Sequence, residues 1–211
     1  MNLPRSLLYL LFLVGFYSIA GGQESENLSP ELDTVFHHNL RVFLDPNVRQ
    51  INVENVITIP ENYEASSLQF ELNSNLTITD ASVDVSRLAN LGSNSIDASD
   101  TTGTADASTS IYSIENNSRS REIRIVYDGS IYDLAEQDSE EYAQSFSETT
   151  GIIDELGVYL NYASAWVPLF GDSLITFEME VEFADTASQW KAVSQGDRNG
   201  ENGWRSDDPM E

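Results

Sequence analysis

From Val35 onward the chain alternates apolar and polar side chains with a period of two. In the longest run, Ile175, Phe177, Met179, Val181 and Phe183 alternate with Thr176, Glu178, Glu180 and Glu182. That period puts one set of side chains on a buried face and the other in water, as in a half-buried strand. Phe36, His38, Leu40, Val42 and Leu44 repeat the pattern, with His37, Asn39 and Arg41 on the opposite face. Asp45-Pro46-Asn47 is a turn signal, and Ile51, Val53, Ile57 and Ile59 resume the alternation until Pro60. Two long strands around that turn predict an antiparallel hairpin, with a loop longer than the tightest two-residue type. Further strands are predicted at Leu68–Leu72, at Leu76 and Ile78 after a kink, at Val83 and Val85, at Ile111–Ile114 and at Ile123–Tyr127. Asp128-Gly129 reads as a second turn, and Trp190 to Gly196 as a short strand ending at a turn glycine. The predicted fold is all-β: an antiparallel sandwich or saddle of about seven to ten strands with little helix.

The segments between strands divide the chain. Residues 1–20 have the form of a secretory signal peptide: Arg5 supplies the positive start, Leu7 to Ile19 the apolar stretch, and Ser18-Ile19-Ala20 a small-x-small cleavage site. The apolar stretch falls short of the ~20 residues that a membrane span needs, and polar GGQESEN follows it. Residues 21–34 are a polar lead-in to a β domain at 35–196. Leu91 to Ser110 is rich in Ser, Thr, Asp, Gly and Ala and predicts a long, mobile surface loop. Asp133 to Glu155 is an acidic interlude. Tyr142 and Phe146 there are one helical turn apart, which allows a short helix over 140–146, although a solvated segment explains the same residues. Residues 197–211 read as a polar tail.

Composition narrows the partners. The 211 residues carry 35 acidic and 10 basic side chains, a formal net charge of −25, and Lys191 is the single lysine. Such a surface repels nucleic acid and anionic lipid, so neither is expected as a partner. It also suits a salty medium. The absence of cysteine removes disulfides, thiolate metal sites, cysteine nucleophiles and a lipoprotein anchor.

The candidate chemistry is sparse. His37 and His38 are the only histidines, and neighbours on a strand point to opposite faces, so the pair cannot chelate one metal. His38, on the apolar face, is expected to be a hydrogen-bonded core or interface residue. Neither a G-x-S-x-G elbow nor an H-E-x-x-H zinc motif occurs. Asp197, Asn199, Glu201 and Asp208 have part of the spacing of a calcium loop, but Asn202 stands where glycine is needed and Gly203 comes one place late. A polar connection to a following strand is the simpler account of them. Glu136, Asp138, Glu140 and Glu141 form a charge run of the kind that faces solvent. Asn27, Asn75 and Asn116 begin N-x-Ser/Thr sequons, relevant only in a glycosylating host. Tyr159, Tyr162, Trp166 and Trp190 form either an aromatic binding platform or, more in keeping with their position beside a buried strand, core. No catalytic, cofactor-binding or metal residue is assigned.

Several segments occur in a recognisable order. A strand ending in Leu44-Asp45-Pro46 is followed by I-N-V-E-N-V-I-T-I-P. Then come Tyr127-Asp128-Gly129, Gly157-Val158-Tyr159, Trp166-x-Pro168 and Trp190-x-Ala192-Val193-Ser194-x-Gly196. This order resembles the N-terminal β domain of the aminopeptidase N family of zinc metallopeptidases, over Val35 to Gly196. The resemblance implies a β domain that packs on a thermolysin-like catalytic domain and helps wall its peptide cleft. Zinc and the catalytic residues would belong to that second domain, since the chain contains neither H-E-x-x-H nor the family's G-x-M-E-N strand.

Three roles therefore stand: the N-terminal portion of an exported, periplasmic or secreted metalloaminopeptidase, stopped at Pro209-Met210-Glu211 ahead of its catalytic domain; a partner that docks in trans on a separate catalytic chain; and a stand-alone β-sandwich that binds a protein or peptide. The resemblance favours the first.

Overall fold

The computed structural model describes residues 34–91, 108–133, 149–185 and 189–210. The leader at 1–20, the lead-in at 21–33, most of the 91–110 loop and the acidic stretch holding Glu136, Asp138, Glu140, Glu141, Tyr142 and Phe146 lie outside these residues. The described residues form twelve strands and two short 3-10 turns, without an α-helix.

Seven strands make the main sheet, in the order β11-β12-β10-β1-β2-β7-β4. They are β1 (Val35–Asp45), β2 (Gln50–Thr58), β4 (Leu76–Ala81), β7 (Glu122–Gly129), β10 (Leu174–Phe183), β11 (Asp197–Arg198) and β12 (Gly203–Met210). A second sheet runs β3-β6-β5, from β3 (Ser67–Asn73), β6 (Thr109–Glu115) and β5 (Asp84–Leu91). β8 (Gly151–Asp154) and β9 (Gly157–Leu160) pair as a hairpin.

Alternation sets which faces meet. Phe36, His38, Leu40, Val42 and Leu44 of β1 are all buried, and Ile51, Val53, Ile57 and Ile59 continue that face. Leu68, Phe70 and Leu72 of β3, with Tyr112 and Ile114 of β6, join the same core from the second layer. Burying one such aliphatic or aromatic side chain contributes roughly 1.5–3 kcal/mol. The outer face stays polar, and Arg124 there bonds both Glu54 and Asp80. The β-sandwich expected from the sequence is the observed fold.

One strand pairing adds to this picture, and three local expectations are corrected. The sheets are mostly antiparallel, but β1 and β10 pair in parallel, Val35 opposite Leu174 through Leu44 opposite Phe183. A parallel pair needs a long crossover, and here everything between β2 and β9 supplies it. The kink after Leu72 is a turn that moves the chain from one sheet to the other, since β3 pairs with β6 whereas β4 pairs with β7. Asn73 Oδ1 accepts from the Asn75 backbone N–H at 3.0 Å and shapes it. Asp128-Gly129 is no turn, for both residues lie inside β7, paired to β2 on one side and β4 on the other. Finally, Trp190 to Ser194 form no ladder, whereas 197–210, expected to be a polar tail, add β11 and β12 to the main sheet. Its polar sequence reflects its place beside the two-residue edge strand β11: only Gly203 and Ser206 of β12 are buried.

Candidate functional site

The candidate site lies where the β8–β9 hairpin meets the segment that follows β10. Ile153 of β8 is buried, and its N–H donates to the Ile131 carbonyl at 2.8 Å. Glu155 and Leu156 form the hairpin tip, from which β9 returns to Asn161. Asn161 caps the next 3-10 turn, its side-chain oxygen accepting from the Ser164 N–H at 3.1 Å. Backbone bonds then lace the descending segment to β3: Asn73 N–H donates to the Ala165 carbonyl, and Glu71 and Leu169 exchange both of theirs at 2.9 Å. This lacing carries Trp166 towards the core and seats Phe170 flat on Phe36, with ring centroids 4.2 Å apart.

The geometry leaves a cleft of about 390 Å³, lined chiefly by Val42, Leu44, Val158, Trp166, Phe183 and Trp190. Leu156 and Val193 stand at its border, 91% and 86% exposed. The four aromatic residues singled out in the sequence thus divide. Trp166 and Trp190 line the cleft, with Trp190 6.2 Å from Phe183, whereas Tyr159 and Tyr162 are exposed. Sequence alternation could not place Leu156 or Val193 here, because both sit in connections.

A second, polar groove of about 750 Å³ crosses the outer face of β1 and β10 at the β11–β12 turn. Glu178, Glu180 and Glu182 line it together with Asn39, Arg41 and residues 199–203. Of the calcium-loop residues, Asn199 and Glu201 fall at this turn, Asp197 lies in β11 and Asp208 lies further along β12, and their side chains do not converge. Glu201 pairs with Lys191, Asn199 donates to Glu178 at 3.0 Å, and Arg198 donates to the Gly200 and Glu201 carbonyls. Asn199 and Glu201, two of the side chains a cation would need, are thus engaged with other groups.

The two histidines face opposite ways. His37 Nδ1 lies 2.9 Å from the Thr176 hydroxyl, while His38 is wholly buried with Nδ1 2.9 Å from Asn55 Nδ2. Burial, with the nearby His37 adding to it, depresses the His38 pKa to about 3, and the Asn55 bond offsets only part of this. His38 is thus a neutral core residue. Among the described residues, no three His, Asp or Glu side chains are grouped to hold a metal. The described residues offer no fit for zinc, which the resemblance places in a separate catalytic domain. Nor does any described helix have the length and apolarity to cross a membrane.

Of the sequons, Asn116 is buried, and its Nδ2 donates to the Ser120 carbonyl at 2.8 Å. Asn75 is exposed at the β3–β4 turn. Asn27 lies outside the described residues.

No protein-family model matches the chain, and no curated protein sequence matches it. Among solved structures it is similar to the M1 zinc metallopeptidase from Deinococcus radiodurans, at 13% identity and a TM-score of 0.43 over 84% of this chain and 39% of that one. It is similar to yeast LTA4 hydrolase in complex with bestatin, at 16% identity and a TM-score of 0.49 over 87% of this chain and 29% of that one. Legionella pneumophila aminopeptidase A is a third, at 11% identity and a TM-score of 0.40 over 84% and 20%. The chain spans well under half the length of each.

Proposed function

We propose that residues 35–210 are the non-catalytic β domain of an exported, aminopeptidase-like zinc metallopeptidase, and that they serve as a scaffold against which a catalytic domain packs. The supporting observation is the apolar cleft between β9 and residues 190–194, with Leu156 and Val193 exposed beside it. An uncovered apolar surface of this kind suits a docking interface better than a free face of a very acidic chain. The order of the Leu-Asp-Pro, Y-D-G, G-V-Y, W-x-P and W-x-A-V-S-x-G segments supports the same assignment. In this reading zinc and the peptide chemistry belong to the catalytic domain, in cis or in trans.

The cleft also supports a second reading, a secreted module that takes an apolar peptide segment there. Two measurements separate them. An antibody against this domain, used on periplasmic and culture-medium fractions, should detect a product several times larger than 23.5 kDa if the domain belongs to an enzyme. A band slightly below that mass would favour the module. The purified chain should not hydrolyse an aminoacyl-anilide, and turnover would overturn the non-catalytic assignment.

A further inference from the structure

Three polar side chains lie together in the sandwich core: His38 of β1, Asn55 of β2 and Tyr127 of β7, each with no exposed surface. They run diagonally over three neighbouring strands. Asn55 stands opposite Leu40 and Ile125, so His38 and Tyr127 are each two residues from its direct partners, on the same face. Asn55 Nδ2 donates to His38 Nδ1. Beyond that bond, His38 Nε2, Asn55 Oδ1 and the Tyr127 hydroxyl have no hydrogen-bond partner among the described residues. The Asn55 side chain lies near enough to favour the ionised form of Tyr127, yet the two groups miss hydrogen-bond geometry, and burial prevails in raising the Tyr127 pKa.

The chemistry of the unmet groups is complementary. If Asn55 Nδ2 donates to Nδ1, the neutral His38 ring carries its proton on Nε2. The cluster then has an unmet donor there, an unmet acceptor at Asn55 Oδ1, and a tyrosine hydroxyl able to play either part. Exchanging the amide oxygen and nitrogen of Asn55 reverses the roles but leaves the same inventory, one donor and one acceptor. Buried polar groups without partners are rare because leaving them unmet is costly, and a water molecule can satisfy two to four of them at once.

We propose that the His38–Asn55–Tyr127 cluster is an internal hydration site, holding at least one enclosed water that bridges these three strands. It is separate from the apolar cleft and does not depend on the function proposed above. The test is water oxygen-17 magnetic relaxation dispersion on the full chain, compared with the double variant Asn55→Val and Tyr127→Phe. The expected result is a dispersion amplitude lower in the variant by at least one long-lived water. Equal amplitudes in two folded proteins would overturn the proposal. A high-resolution crystal structure of the unaltered chain decides the matter even if the variant does not fold. Solvent density at roughly 2.7–3.2 Å from His38 Nε2 supports the site. A direct Tyr127–Asn55 hydrogen bond, with no solvent density beside His38 Nε2, excludes it.

Discussion

The Arg49 guanidinium lies over the ring of Tyr132, 3.8 Å from its centroid. The same side chain donates to Asp154 at 3.1 Å, so one residue at the β1–β2 turn ties that turn to β8 and to the strand-like segment beside it. Arg49 is also left-handed, with φ of 58°. The two features oppose each other: the contacts favour arginine, and the backbone favours glycine. Arg49→Ala should lose the contacts and keep the strain, costing about 1 kcal/mol from a partly exposed cation–π contact and a surface ion pair. Arg49→Gly should lose the same contacts but relieve the backbone, and remain roughly 1 kcal/mol more stable than the alanine variant. Urea midpoints of the three proteins check this, and a glycine variant no better than alanine would show that the left-handed turn is unstrained.

Gly129 is required by a close approach. A Cβ there would run into the backbone carbonyl oxygen of Asn75, where the chain enters β4. Backbone cannot step aside as a flexible side chain can, so the strand must shift. Gly129→Ala should destabilise the domain by about 1–3 kcal/mol, as overpacking typically does. Gly157→Ala, which meets nothing within 4 Å, should change the midpoint little. Comparable losses in both variants would refute the steric account.

That glycine also shows what a sequence can and cannot reveal. Alternation located the faces of β1, β2, β7 and β10, because a half-buried strand writes its burial into every second residue. Asp128-Gly129 carries the composition of a turn, yet it sits inside a strand. The need for glycine comes from Asn75, 54 residues earlier in the chain, and no local pattern records it. β12 escaped for the opposite reason: only two of its residues are buried, so a mostly exposed strand reads as polar connection. The site was half legible. Trp166 and Trp190 stood out by residue type, but Leu156 and Val193 owe their place to a hairpin tip and a loop that only the fold brings together.

His38 should make stability pH-dependent. Its pKa is about 3 in the fold, against 6.5 when unperturbed. Between those values the unfolded chain binds a proton that the folded chain refuses, so acid favours unfolding. The contribution is complete above pH 6.5 and is lost as pH falls towards 3. At pH 4 the loss should be about 3 kcal/mol, from 1.36 kcal/mol for each pH unit below 6.5. Glu54 and Asp80, held low by hydrogen bonds from Arg124, also weaken in acid, but they are surface groups common to any His38 variant. Chemical denaturation of the unaltered chain and of His38→Gln at pH 7, 5.5 and 4 isolates the histidine. The difference between the two should narrow steadily as pH falls. A difference that stays constant would mean that His38 is accessible to protons in the folded state.

Leu156 and Val193 provide the sharpest test of the cleft as a docking surface. Both are almost fully exposed, so replacing them removes little buried area from the isolated domain. The double variant Leu156→Ser and Val193→Ser should therefore keep its unfolding free energy within about 0.5 kcal/mol of the unaltered domain, as surface substitutions usually do. Self-association in sedimentation velocity and binding of a hydrophobic dye should both fall, because the variant loses the most exposed apolar side chains at the cleft. Adding a catalytic chain in trans would then show weaker complex formation with the variant than with the unaltered domain. A large loss of stability would instead assign the two residues to the fold. Unchanged association at unchanged stability would move the docking surface away from this cleft, with the polar groove on β1 and β10 the next surface to examine.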